Sequence, residues 1–131
     1  MCLDLRVVLP EGSSGSLGAK RLSALSGLHV TAVKTEAGRC AFHFASDPGC
    51  SCGLLTPGFE IGAPAWPLTH RASSGLVTAI QAIGAVYPSF SLSSAWLGAE
   101  EAPARSTVSL AQLAEELRSG TLKANRVRLV S

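Results

Sequence analysis

The run from Leu28 to Ser46 constrains this chain most. Two alternating stretches, LHVTAVKTE and RCAFHFAS, flank Ala37-Gly38. β-Branched and aromatic residues at every second position are the pattern of strands, and a tight turn between two such runs makes a hairpin. A two-residue turn sets Glu36 opposite Arg39, Val33 opposite Phe42, Thr31 opposite Phe44 and His29 opposite Ser46. One face then carries Thr31, Val33, Thr35, Cys40, Phe42 and Phe44; the other carries Val30, Ala32, Ala41, His43 and Ala45. Both faces read as at least half covered, which places the pair inside a sheet.

The remaining segments are assigned around this hairpin. Leu3 to Leu9 alternates as a strand and stops at Pro10. Ser16 opens a short helix through Leu17, Leu22 and Leu25, closed by Gly27. Asp47-Pro48-Gly49 is a turn, and Cys50 to Arg71 is irregular, punctuated by Pro57, Gly58, Gly62, Pro64 and Pro67. This segment holds Leu54, Leu55, Phe59, Ile61, Trp66 and Leu68, too many large apolar residues for a solvated linker, so it is expected to pack on the body of the fold.

Ser73 or Ser74 then caps a helix with a Leu76, Ile80, Ile83, Tyr87 stripe, ended by Pro88. Phe90 to Trp96 alternates as a strand, Gly98 to Arg105 is an acidic loop, and Ser109 with Gln112 is a capping box. That box opens a helix closed by Gly120, and Arg126 to Val130 is a last strand with Val127 and Leu129 inward. The expectation is one α+β domain over residues 1–131, with a mainly antiparallel sheet and an irregular insertion at 47–72. The first six elements, β-α-β-β-α-β, follow the split βαβ order of ferredoxin-like folds, with an extra C-terminal α-β.

Composition narrows the function. Only 15% of residues are charged and the net charge is +2. There is no Lys/Arg run to serve as a nucleic-acid footprint. The aromatic pattern of an RNA-recognition sheet is also missing, since Leu3 to Leu9 holds no aromatic. The uncharged stretch from Ala72 to Ala99 is interrupted by Pro88 and its serines, so no membrane span is expected. The start MCLDLRVVLP has no basic leader and no long apolar run, giving the expectation of a cytoplasmic protein with reduced thiols. So low a charge content has two readings: a composition rich in Ala, Leu, Gly and Ser that raises hydropathy without forming patches, or a surface covered by a protein partner or by a second copy as a homodimer.

One stretch brings reactive side chains together: Cys50-Ser51-Cys52 between Gly49 and Gly53. Two thiols one residue apart can face one ligand, and a closed zinc site commonly takes four N or S donors. The hairpin register sets His29 beside the strand's exit, and His70 ends the irregular segment, so Cys50, Cys52, His29 and His70 form the candidate zinc set. Cys40 sits roughly 20 Å from that exit and is left out. A redox role uses the same two thiols and needs a cation near them to lower their pKa. Cysteine-nucleophile catalysis with His43 or His70 as base lacks any flanking signature. Trp66, in the Pro-bounded segment APAWP, and Phe59 are the candidate partner-binding residues, against a role in pinning the loop to the core. The leading expectation is a non-catalytic, self-associating interaction module without a cofactor; the alternative is a small thiol or metal site around Cys50 and Cys52.

Overall fold

The computed structural model describes residues 3–13, 17–46, 51–58, 60, 63, 65–96, 102–123 and 125–131. Its architecture is α+β. A mostly antiparallel mixed sheet of six strands takes the order β2-β3-β1-β5-β8-β6, and three helices accompany it. The strands are β1 (Leu3–Val8), β2 (His29–Lys34), β3 (Cys40–Ala45), β5 (Phe90–Trp96), β6 (Ala104–Val108) and β8 (Arg126–Val130). Two short strands, β4 (Ala65–Pro67) and β7 (Thr121–Lys123), form a separate antiparallel pair. The helices are α1 (Ala19–Ser26), α2 (His70–Val86) and α3 (Leu110–Arg118).

The alternation in β1 decides which face is covered. Leu3, Leu5, Val7 and Leu9 are fully buried. They share one core with Leu22 of α1, Leu76, Ile80 and Ile83 of α2, and Leu113 and Leu117 of α3. β1 runs antiparallel to β3 and to β5, so β3 and β5 are parallel with β1 between them. Likewise β1 and β2 are parallel with β3 between. The sheet then continues past β5 through β8 to β6, which joins β8 in parallel.

The hairpin is not wholly interior: β2 is an edge strand of the sheet and most of it is exposed. Helix α1 starts at Ala19 with Gly18 as its N-cap and leaves Leu25 exposed, and Ser16 lies outside the described residues. Four further expectations need correction. The hairpin turn has three residues, not two. Gly38 adopts φ 79°, its N–H donates to the Thr35 carbonyl, and the Thr35 N–H donates to the Arg39 carbonyl. A left-handed third residue is what such loops require, and glycine supplies it without steric cost. Each pair consequently shifts by one: Val30 faces Phe44, Ala32 faces Phe42, Thr31 faces His43 and His29 faces Ala45. A one-residue slip moves one strand's whole set to the other face, so Val30, and not Thr31 or Val33, joins Phe42 and Phe44 in the core.

Second, α2 begins at His70, capped by Thr69, whose hydroxyl accepts from the Ala72 N–H. Ser73 lies inside the helix and gives its hydroxyl to the Leu117 carbonyl on α3, so it stitches two helices and caps neither. Third, the loop expected through Arg105 ends as β6, which gives the main sheet six strands where the element order gave five, the β4–β7 pair standing apart. Fourth, β8 is turned over. Val130 is buried opposite Phe90, and Arg128 sits opposite Leu92, while Leu129 is exposed. Arg128 can face the helices because Glu116 of α3 takes its guanidinium at 2.8 Å. The capping box of α3 forms as the sequence indicates, with Ser109 and Gln112 bonding reciprocally.

The insertion is more ordered than its composition suggests. Ser51–Leu54 is a 3-10 turn, Leu55 bridges Leu68, and the Thr69 N–H donates to the Leu54 carbonyl. Leu54, Leu55, Trp66 and Leu68 are all buried. Among the described residues, no helix is long and apolar enough to cross a membrane.

Candidate functional site

The described polar residues converge where β1 and β3 separate. Their ladder covers Arg6 to Val8 against Ala41 to His43. Towards the start of β1 the 3-10 turn enters between them. The Leu5 N–H donates to Ser51 Oγ at 3.0 Å, and the Leu3 N–H donates to Cys52 Sγ at 3.2 Å. Ser51 in turn donates its hydroxyl to the Phe44 carbonyl of β3. Backbone groups that would otherwise be buried without partners are thus satisfied by side chains of the turn.

Against this wedge, on the face away from the helices, sits an ionic cluster. Asp4 Oδ2 lies 2.7 Å from Arg6 Nε, and Asp4 Oδ1 lies 3.5 Å from His43 Nε2. The same Nε2 lies 3.3 Å from Ser51 Oγ. The His43 pKa is pushed below the ordinary imidazole value, first by burial; Asp4 opposes the shift, while Arg6 and His29 add to it.

Asp, His and Ser in mutual contact invite a hydrolase reading, which the geometry refuses. A charge-relay triad needs the carboxylate on one ring nitrogen and the serine on the other. Here both approach Nε2. Ser51 has one hydroxyl proton, and it goes to the Phe44 carbonyl. Its side chain is also wholly buried. As placed, Ser51 ties the 3-10 turn to β1 and β3 and is not set up as the nucleophile of such a triad. The cluster leaves little local signal in the sequence: Asp4 and Arg6 alternate like any solvent-facing pair, and Ser51 is the single residue between two cysteines.

The residues proposed from sequence fall in different places. His29 is exposed on the edge strand β2, opposite Ala45. His70 is exposed at the first position of α2, beside Ser73, Ser74 and Arg118. Cys52 is half-buried against β1, and Cys50 lies outside the described residues. Among the described residues no three His, Cys, Asp or Glu side chains come together as a metal-holding group. Trp66 is 1% exposed and packs edge-on against Trp96, with ring centroids 5.1 Å apart. As placed, it pins the loop to the core and offers no surface. Phe59 lies outside the described residues.

Among the described residues, two cavities have largely apolar linings. One, of about 400 Å³, is lined by Leu9, Leu17, Ala32, Cys40 and Phe42 under the β2–β3 hairpin. The other, of about 340 Å³, is a groove between α1 and α2 lined by Leu17, Arg21, Leu25, Ala82, Ala85 and Val86. Leu25 and Val86 are 48% and 45% exposed. Comparison of the chain with protein families, with curated proteins and with solved structures finds no match.

Proposed function

We propose that the protein is a non-catalytic interaction module that self-associates through the groove between α1 and α2. The observation that carries this reading is the clustering of exposed apolar side chains. Of the three large hydrophobic residues that stand exposed among the described ones, Leu25, Val86 and Leu129, two line this single groove. Scattered apolar residues are ordinary on a surface, whereas a shared patch marks a contact. The groove offers both a cleft and protruding side chains on one surface. That is what a two-fold interface needs, because each copy inserts its knobs into the other's cleft. Arg21 is the one charged residue among the described residues of the lining.

The open sheet face is the poorer candidate. It carries Asp4, Arg6 and His43, and Ser91 and Ser93 alternate with the buried residues of β5, so it is polar where self-association through the sheet would require apolar area. In fold terms, the order β2-β3-β1-β5 supports reading β1-α1-β2-β3-α2-β5 as a ferredoxin-like unit extended by β8 and β6.

Light scattering across micromolar concentrations tests the reading. The chain should rise from 13.5 kDa towards twice that mass, and the Leu25→Asp/Val86→Asp double variant should stay at 13.5 kDa while remaining folded. A wild-type monomer at every concentration overturns self-association. A dimer that tolerates the double substitution moves the interface elsewhere.

A further inference from the structure

We propose that the cavity under the β2–β3 hairpin binds a free medium-chain carboxylate, its tail in the chamber and its charge on Lys34. This goes beyond the groove reading, since the groove lies between α1 and α2 and this cavity between α1 and the hairpin. Its basis is a mismatch of lengths. On the helix side of the hairpin, Val30, Ala32 and Lys34 of β2 pair with Phe44, Phe42 and Cys40 of β3. The six residues of β2 span about 20 Å, and the eight of α1 only about 12 Å. Helix α1 is pinned near the start of β2, where the Val30 N–H donates to Ser23 Oγ at 2.9 Å. Burial follows this placement: Val30 is buried, while Ala32 and Lys34 are exposed.

The uncovered part of the hairpin face is where the cavity of about 400 Å³ opens. Leu9, Leu17 and Phe42 line it and are themselves buried, so the chamber reaches down to the core. A volume of this order is usual for small-molecule sites. At about 30 Å³ for each water-sized group, it holds roughly a dozen such groups, the bulk of a medium-length hydrocarbon chain.

Charge selects the headgroup. Lys34 is the one charged residue among the described residues of the lining, and none of the described carboxylates pairs with it. Gly18, the N-cap of α1, lines the same cavity and has no side chain to accept from the first N–H groups of the helix. The first turn of α1 holds no acidic residue either, so the positive potential at the cavity is uncompensated. An apolar chamber beside an unpaired ammonium group suits an apolar body that carries one anionic acceptor.

Titration calorimetry of the full chain with sodium octanoate, kept below its micellar range, should give saturable one-to-one binding. Each methylene added from butanoate to octanoate should tighten binding about three- to fourfold. Lys34→Glu should weaken octanoate about tenfold and leave octanol within about twofold. Ala32→Phe, which fills the chamber beside Phe42, should abolish binding of both while keeping the melting temperature. The Leu25→Asp/Val86→Asp variant should bind octanoate as the wild type does. Cys40 supplies a second readout, because it lines the cavity, whereas Cys52 docks on Leu3, roughly 20 Å back along β1 from Leu9, whose N–H meets the Cys40 carbonyl. Octanoate should slow alkylation of Cys40 by iodoacetamide, followed by peptide mass spectrometry, and leave the rate at Cys52 unchanged. Absence of saturable binding overturns the proposal, as does equal slowing at both cysteines. So does binding that survives Ala32→Phe or is indifferent to Lys34→Glu. Loss of binding in the Leu25→Asp/Val86→Asp variant also overturns it, by moving the ligand to the α1–α2 groove.

Discussion

The two faces of the central sheet are built from the same strands and hold together by different physics. On the helix side, β1 contributes Leu3, Leu5 and Val7, Leu9 follows just past its end, and β3 contributes Phe42 and Phe44, all buried in one core with α1, α2 and α3. On the other side the same strands contribute Asp4, Arg6 and His43, joined by charge and by the hydroxyl of a residue from a distant turn. Apolar burial is non-directional and scales with area, so the helix face tolerates variation in which neighbour touches which. The open face depends on individual hydrogen bonds, each of which fails if one partner is removed. The lesson is that the helix face should respond to volume and the open face to chemistry.

The largest effect should come from volume. Phe44 is fully buried, and Phe44→Ala should cost about 3–5 kcal/mol, read from the denaturant midpoint. A loss under about 1 kcal/mol would mean that the helix face does not depend on packing at this point.

Next comes the seam between the faces. Ser51→Ala removes few atoms yet leaves the Leu5 N–H without its partner and the Phe44 carbonyl without its donor. A cost of about 1–3 kcal/mol is expected, the range for orphaning a buried polar group. Ser51→Cys has similar volume but a weak donor, and should recover only part of the loss. Full recovery by cysteine would show that Ser51 acts by filling space, and the contrast between the faces would fail there.

The smallest effect belongs to His43, and it should appear as a pH dependence. Its folded pKa lies below the ordinary value of about 6.5, so the unfolded chain binds a proton more readily. Stability from this group is therefore constant above about pH 6.5 and is lost as the pH falls from there through the folded pKa. Chemical denaturation at pH 7.5 and pH 5.5 should show wild type losing more stability on acidification than His43→Gln. Equal losses would remove His43 from the account.

Much of this was legible without coordinates. The alternation of Leu3 to Leu9 fixed its inward face, because a period of two leaves no other way to bury four large aliphatics. The Ser109–Gln112 box fixed the start of α3, since capping is a local exchange of hydrogen bonds within four residues. Leu54, Leu55, Trp66 and Leu68 announced that the 47–72 insertion would pack, by composition alone.

What sequence could not settle was anything decided by a contact at long range. The sequence reads Ala37-Gly38 as a two-residue turn; the left-handed Gly38 closes a three-residue one, which shifts the register and sets Val30 on Phe44. β8 turned Arg128 inward because Glu116, twelve residues earlier, waits for it on α3. Ser51 looked like a spacer until the strands it joins, 46 residues from Leu5 and 7 from Phe44, were brought to either side of it. Local periodicity determines which residues want burial, because that preference belongs to each side chain. Which partner satisfies a buried donor or charge depends on where the rest of the chain arrives, and that only the tertiary structure decides.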